Sequence, residues 1–157
     1  GIEEEVSKPA LEHLRRPIEG FACRRSEVSG RRLWGLFAER FGSPQNFFAN
    51  HFVLNYCPLC FMEAGGRNVT PVQLPAAEAA PLFDACDQHL RRALEILQPQ
   101  WVIGIGGFAA ERARRVAAGS DRKLAQILHP SPASPAANRN WAGLVIAELR
   151  RLGVWKL

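Results

Sequence analysis

Hydrophobic residues at helical spacing mark the first regular element of the chain. Leu33, Phe37 and Phe41 recur at every fourth position, so their side chains share one face of a helix. Gly42 follows the last of them, and glycine is a common residue just beyond a helix. The pattern predicts an amphipathic helix at roughly 28–41.

Three short apolar runs further along are typical of buried strands, because they are only five or six residues long and glycine or proline follows within two residues. They are His51–Tyr56, Trp101–Ile105 and Leu124–Leu128. Helices are predicted at about Ala77–Leu97, from Gly107 to about Ala118, and from Pro135, with Ser134 as its cap, to Gly153. Short strands alternating with helices favour an α/β fold with a parallel sheet covered on both faces.

Two of these helices carry further expectations. Pro81 lacks a backbone N–H, so the helix that starts near Ala77 should hold it in its first turn. The last helix is expected to turn four apolar side chains inward. These are Trp141, Leu144, Val145 and Leu149.

Polar residues and glycines follow the three predicted strands. Asn55 lies near the end of the first strand, Gly106 and Gly107 follow the second, and His129 follows the third. Ligands of parallel sheets gather beyond the carboxyl ends of the strands. The sequence therefore predicts a site at this edge. The prolines after His129 restrict the backbone there. A functional site with a fixed geometry would require this, and so would an ordinary turn.

Composition supports one globular domain and places the positive charge late in the chain. The 157 residues are 47% hydrophobic, enough to bury a core. Residues 107–157 carry nine basic and three acidic side chains (+6), whereas residues 1–20 carry three and five (−2). Of the 20 basic residues 17 are arginine, whose planar group suits phosphate. A face that binds polyanions explains this pattern, and so does a GC-rich gene.

The uncharged stretch Phe41–Met62 is not predicted to cross a membrane. It contains Pro44, His51 and Asn55, and polar groups of this kind are costly in lipid. The opening run Glu3–Glu5 does not fit a signal peptide. We therefore expect no membrane partner, and four cysteines without a secretory signal favour a reduced, intracellular compartment.

The glycines after the second strand allow three interpretations. Gly104–Ala109 loosely matches the G-x-G-x-x-A fingerprint of dinucleotide sites, in which backbone N–H groups face a phosphate. A DNA phosphate could be received at the same turn. A tight connection between a strand and a helix is the third interpretation.

Cysteine spacing leaves a metal site open. Cys57 and Cys60 have the spacing of a redox pair or of half a metal site. Cys23 and Cys86 could complete an iron–sulfur set. Cysteines at the end of a core strand are equally explained as buried apolar residues.

Two segments resemble one family of enzymes. Asn55-Tyr-Cys-Pro58 and His129-Pro-Ser-Pro-Ala-Ser-Pro-Ala-Ala-Asn138 resemble motifs of the single-strand-selective monofunctional uracil-DNA glycosylases, within the uracil-DNA glycosylase superfamily. The supporting stretches 26–30, 66–71 and 104–115 occur in the family's order. The resemblance thus covers nearly all of residues 1–157 and implies a single domain with a three-layer α/β/α sandwich and a central, mostly parallel sheet.

The resemblance also implies an activity and roles for residues. The activity is hydrolysis of the N-glycosidic bond of uracil, or of an oxidised uracil such as 5-hydroxymethyluracil, in single- and double-stranded DNA by base flipping. Asn55 would read the flipped base, and His129 would be catalytic by stabilising the departing base. No cofactor or metal is implied, and the protein would be a monomer in the bacterial cytoplasm or nucleoid, or in the eukaryotic nucleus. Candidate DNA contacts are Arg67, Gly106, Gly107, Pro130, Ser131, Pro132 and Ala133.

Two departures from the family's pattern bear on this interpretation. The family's first motif, which carries a water-positioning asparagine, has no counterpart in these residues, and we expect it to precede Gly1 in the natural protein. Ala133 stands where the family has an arginine that penetrates DNA, which puts strand opening in duplexes in doubt. Two alternatives stay open: a catalytically disabled DNA-binding relative, which the first departure suggests, and an iron–sulfur uracil-DNA glycosylase that uses all four cysteines.

Overall fold

The structure is a computed structural model that describes residues 7–8 and 10–156. Its helices are α1 (Val28–Phe41), α2 (Pro44–Phe48), α3 (Ala76–Leu97), α4 (Gly107–Val116) and α5 (Pro135–Arg151). Its strands are β1 (Phe61–Met62), β2 (Asn68–Val69), β3 (Trp101–Ile105) and β4 (Lys123–Ile127). The chain divides into a hairpin unit, formed by the residues up to 25 and by 57–83, and a sheet unit, formed by 26–56 and by the residues from 84 onward. One domain over residues 1–157 stays a prediction.

The parallel sheet of the sheet unit consists of β3 and β4. They pair in register from Trp101 beside Lys123 to Ile105 beside Ile127. The strand predicted at 101–105 is confirmed, and the one predicted at 124–128 begins and ends one residue earlier. Gly104 lets α4 lie directly on β3, because a Cβ added there would be 2.3 Å from the Cα of Ala110. The predicted α/β class with a parallel sheet is confirmed.

Alternate side chains of the two strands enter separate apolar clusters on the two faces of this sheet. Ile103, Ile105 and Ile127 pack with side chains of α1 and α5. Val102 and Leu124 pack with side chains of α3 and α4. Because successive residues of a strand point to opposite faces, helices cover both faces of the sheet, as predicted. The larger cluster is centred on Leu36, Trp141, Val145, Leu149 and Trp155.

The strand predicted at His51–Tyr56 is wrong. These residues pair with no other strand within the described part of the chain, and they form neither helix nor strand. The first of them packs onto α2, where the ring of His51 stacks on that of Phe47 (centroids 4.8 Å apart). The His51 Nδ1 atom also lies 3.0 Å from the Phe47 carbonyl oxygen. A β-type sequence is irregular here, because no strand in the described part of the chain pairs with it.

The long helices otherwise follow their predictions, with two corrections. Helix α1 has the predicted bounds, and Ser134 caps α5 by accepting the N–H of Ala137. Pro81 lies inside α3 beyond its first turn, so the position expected for it is wrong. Leu144 is 47% exposed rather than inward, because it lies about 100° around the helix from Val145. Within residues 7–8 and 10–156, no helix is long and apolar enough to span a bilayer.

A short antiparallel hairpin organises the hairpin unit. Strand β1 pairs with β2, and Gly66 in their connection has φ +82°, a value that favours glycine. The lead-in segment holds this turn: Arg16 Nε donates to the Gly66 carbonyl at 2.9 Å, and His13 Nε2 lies 3.0 Å from the Glu63 carbonyl. These bonds fix residues that look irregular in the sequence.

Candidate active site

The carboxyl ends of β3 and β4 bring Gly106 and His129 together. The Gly106 N–H donates to the Ile127 carbonyl at 2.9 Å. Its φ of +91° and ψ of +166° belong to a region used almost only by glycine. A Cβ added to Gly106 would lie 3.0 Å from the Cβ of His129. Gly106 and His129 thus meet at one edge, as predicted, whereas the placement of Asn55 at the same edge stays a prediction.

Backbone hydrogen bonding determines which nitrogen of His129 can donate. The Ser131 N–H donates to His129 Nδ1 at 3.1 Å. Because Nδ1 accepts a hydrogen bond, it carries a lone pair, and the neutral ring holds its proton on Nε2. The side chain is exposed. The site therefore presents an oriented Nε2–H donor.

The turn after His129 is held by hydrogen bonds between its own residues. The Ser131 hydroxyl accepts the N–H of Ala133 at 3.1 Å, and the Ser131 carbonyl accepts the N–H of Ser134 at 3.1 Å. Pro130 is buried, whereas Pro132 and Ala133 are exposed at the tip. At the start of the turn, the Trp141 indole donates to the Leu128 carbonyl at 2.7 Å. The structure thus presents Pro132 and Ala133 on a rigid support.

Two residues outside this turn hold its remaining carbonyls. Arg32 Nη1 donates to the Pro130 carbonyl at 2.8 Å, and Asn138 Nδ2 donates to the Pro132 carbonyl at 2.7 Å. Arg32 Nη2 also donates to Asn138 Oδ1 at 2.9 Å. Sequence reasoning missed both roles. Asn138 lies within the motif at 129–138. Arg32 belongs to no motif and is 98 residues from Pro130 in the sequence.

Asn55 is exposed on the irregular segment that precedes Tyr56. Tyr56 anchors this segment, since its hydroxyl donates to Asp87 Oδ1 at 2.8 Å and accepts from Arg112 Nε at 2.8 Å. Arg112 also pairs with Asp87 through Nη2 and Oδ2 at 2.5 Å. Asp87 is 6% exposed, so this polar cluster lies in the interior of the sheet unit. Burial, followed by the bond to Asp87, raises the pKa of Tyr56 well above its usual value. The hydroxyl therefore stays a donor.

The ring of Tyr56 links the Asn55 segment to the edge that carries His129. It meets the ring of Phe108 edge-on, with centroids 5.4 Å apart. Phe108 is the second residue of α4, directly after Gly106 and Gly107. The structure thus ties the Asn55 segment to the glycine turn against which His129 lies. Sequence reasoning missed the roles of Tyr56, Asp87 and Arg112, because nothing in the sequence indicates that these three residues meet.

Arg67 lies on the hairpin unit and already has an acidic partner. Its Nε donates to Glu63 Oε2 at 2.9 Å, and its Nη2 contacts Glu63 Oε1. This hydrogen bonding lowers the pKa of Glu63. A phosphate contact by Arg67 would have to compete with a two-point ion pair. Gly107, in contrast, has open space around its Cα.

The four cysteines lie in differing surroundings. Cys86 is buried on α3, Cys57 is half-buried, and Cys23 and Cys60 are exposed. Among the residues that the structure describes, no three His, Cys, Asp or Glu side chains are grouped so that they could hold a metal ion.

Comparison with known proteins identifies the family. The sequence profile of the Uracil DNA glycosylase superfamily matches residues 15–150. The chain belongs to this superfamily. It is 43% identical over 159 aligned residues to a rat protein named single-strand selective monofunctional uracil-DNA glycosylase, covering 100% of the chain and 57% of the rat protein. Mouse and cattle proteins of the same name are 42% and 41% identical, and all of the chain aligns with 57% and 58% of their lengths.

These comparisons confirm the resemblance inferred from the two motifs. The superfamily match covers both the Asn55 segment and the His129 turn. The chain spans a little more than half the length of the curated relatives it matches.

Proposed function

We propose that the protein containing this chain is a monofunctional uracil-DNA glycosylase. In the reaction, the bond between the sugar C1′ and uracil N1 breaks, and its electron pair leaves with the base. Water adds its oxygen to C1′, and its proton is released. No lysine Schiff base and no metal take part. The names of the relatives support this activity over a DNA-binding protein without catalysis or an iron–sulfur enzyme.

The oriented Nε2–H of His129 is the observation that carries the proposal. Negative charge develops on the oxygens of uracil as the glycosidic bond breaks. A donor already fixed in place stabilises this charge without first having to reorganise. The bond from the Ser131 N–H to Nδ1 supplies the required tautomer. His129 is therefore proposed to donate to the uracil O2 atom.

Asn55 is proposed to read the base. One carboxamide offers a donor and an acceptor side by side, matching the O4 and N3–H edge of uracil. A base with a different edge would leave buried polar groups unpaired. The anchoring of Tyr56 by Asp87 and Arg112 supports this role, because it fixes the backbone next to Asn55.

The substrates are proposed to be uracil and oxidised uracils such as 5-hydroxymethyluracil, in single- and double-stranded DNA. Ala133 at the exposed tip offers only a methyl group to fill the space of a flipped base, so single strands should be the better substrates. Pro130, Ser131 and Pro132 support this tip, and the Gly106–Gly107 turn and Arg67 are proposed phosphate contacts. We propose a monomer that acts where DNA is kept, in a nucleoid or a nucleus.

The experiment incubates the gene product with a single-stranded oligonucleotide that contains one uracil. We expect free uracil and an abasic site that breaks on alkali treatment, whereas the same oligonucleotide with thymine stays intact. If the uracil strand survives long incubation at high enzyme concentration, the proposal is wrong. Salt-dependent binding of uracil DNA without release would identify the disabled relative instead.

A further inference from the structure

We propose that Arg32 and Asn138 are positioning residues that hold His129 in its donating geometry. Together with the Pro130 and Pro132 carbonyls they form a clamp across the turn at 129–134. This inference rests on the proposed function, since it assigns these residues to the step in which the base leaves.

The clamp connects three parts of the sheet unit. Arg32 belongs to α1, Asn138 belongs to α5, and the turn follows β4. One guanidinium donates to both the Pro130 carbonyl (2.8 Å) and Asn138 Oδ1 (2.9 Å), and the amide of Asn138 then donates to the Pro132 carbonyl (2.7 Å). The turn is thereby tied to two helices that pack on the sheet.

Each bond of the clamp has a partner that suits it. Arginine presents several N–H donors in a fixed plane, so that it can bind two acceptors at once, which lysine cannot match. Asn138 accepts a hydrogen bond with its side-chain oxygen and donates one with its side-chain nitrogen, so both ends of its carboxamide are engaged. Pro130 and Pro132 offer carbonyls and no N–H groups, so side-chain donors complete this turn.

The clamp does something that the local bonds cannot do. Ser131 orients the ring of His129 relative to the turn. Arg32 and Asn138 instead orient the turn relative to the helices and the sheet. Small displacements of a catalytic group lower a rate steeply, by as much as about 10²-fold for an error near 1 Å. Loosening the clamp should therefore slow the breaking of the bond more than it weakens DNA binding.

The experiment compares Arg32→Ala and Asn138→Ala with Arg31→Ala in the whole gene product. Arg31 is the exposed neighbour of Arg32 on α1, so its loss removes the same charge from the same helix. Single-turnover rates and DNA affinities are measured for strands that contain uracil or 5-fluorouracil. Fluorine stabilises the departing base, so its release depends less on a hydrogen-bond donor.

For Arg32→Ala and Asn138→Ala we expect uracil release to slow about 10- to 10²-fold, with little change in DNA affinity. The loss should be clearly smaller with 5-fluorouracil, and Arg31→Ala should behave like the wild type. The double variant should lose less than the product of the two single losses, because both residues act through one clamp.

Equal losses for the two bases would overturn the inference, because the effect would then not pass through the leaving group. So would wild-type rates in Arg32→Ala. If Arg32→Ala fails to fold, Asn138→Asp replaces it, because this variant keeps the acceptor for Arg32 and removes only the donor to the Pro132 carbonyl. Its loss of rate must also be smaller with 5-fluorouracil than with uracil. A wild-type protein that releases no uracil refutes the proposed function itself, and the inference falls with it.

Discussion

The turn that carries His129 follows a strand and is held by several backbone hydrogen bonds, whereas the segment that carries Asn55 pairs with no strand among the described residues and is held through the side chain of Tyr56. The hydrogen bonds that hold the turn come from its own residues and from α1 and α5. The Asn55 segment is instead anchored by one buried cluster and by ring contacts. The two groups proposed to hold the base thus have different supports.

This difference matches two different tasks. A donor to a departing base is useful only if its geometry is set before the charge develops. A group that reads a base forms its bonds in the ground state, and a segment outside a sheet can adjust as the base enters. The comparison predicts that changes at the turn alter the rate of bond breaking and that changes at the Asn55 segment alter which bases are accepted.

The largest effect is expected for His129→Leu. Leucine fills a similar space and removes the Nε2–H donor, so uracil release should fall about 10²- to 10³-fold. Single-turnover release from a single-stranded oligonucleotide measures this loss. His89→Leu, at an exposed position on α3, is the matched control and should retain the wild-type rate. A near-normal rate in His129→Leu would remove His129 from the mechanism.

A smaller loss is expected for Asn55→Asp. The carboxylate keeps the shape of the amide but cannot donate to uracil O4, and a lost buried hydrogen bond of this kind costs about 1–3 kcal/mol. That cost corresponds to roughly 5- to 150-fold slower release at limiting substrate. Asn50→Asp, which introduces the same charge at an exposed position five residues earlier, should change little. Undiminished release by Asn55→Asp would refute its role as the reader.

Adjacent glycines provide a sharper test of the turn. Gly106→Ala places a methyl group 3.0 Å from the His129 Cβ and forces an unfavourable backbone, which should lower the free energy of unfolding by about 1–3 kcal/mol. Gly107→Ala meets no atom within 4 Å and should be nearly neutral. Urea denaturation distinguishes the two. Equal stability of the variants would show that the close approach to His129 does not matter.

The smallest effect concerns the anchor of the Asn55 segment. Tyr56→Phe removes one hydroxyl while the Asp87–Arg112 ion pair remains, so we expect a loss of about 1 kcal/mol. The pKa of Tyr56 is raised in the folded protein, so the unfolded chain releases this proton first. Stability from this group is complete below the usual tyrosine pKa of about 10 and declines above it.

Ultraviolet absorbance checks this pH dependence. The absorbance spectrum of Tyr56→Phe is subtracted from that of the wild type. This difference spectrum should show no phenolate while the protein stays folded above pH 10, and the phenolate signal should appear only with unfolding. A phenolate that forms near pH 10 in folded protein would contradict a buried donor to Asp87.

Much of the fold follows from local sequence signals. Helix α1, strand β3 and the capped start of α5 lie where spacing and capping predict them, because each is determined by its own residues. Residues 51–56 have an equally β-like sequence but no partner strand in the described residues. A strand requires a neighbour, and local pattern contains no information about one.

The candidate site was predictable only in part, for the same reason. His129 and Gly106 follow strands, and the rule for parallel sheets places them at one edge. The bonds from Arg32 to Pro130 and from Arg112 to Tyr56 join residues 98 and 56 positions apart. Such contacts arise from helix packing on the sheet, and neither charge nor spacing along the chain marks them.

Nitrogen NMR of His129 tests the central claim most directly. At a pH where the ring is neutral, the account predicts a proton on Nε2 and a bare Nδ1 that accepts the Ser131 N–H. A proton on Nδ1 would contradict it, because the ring could then not be oriented by Ser131 and donate to the departing base through Nε2.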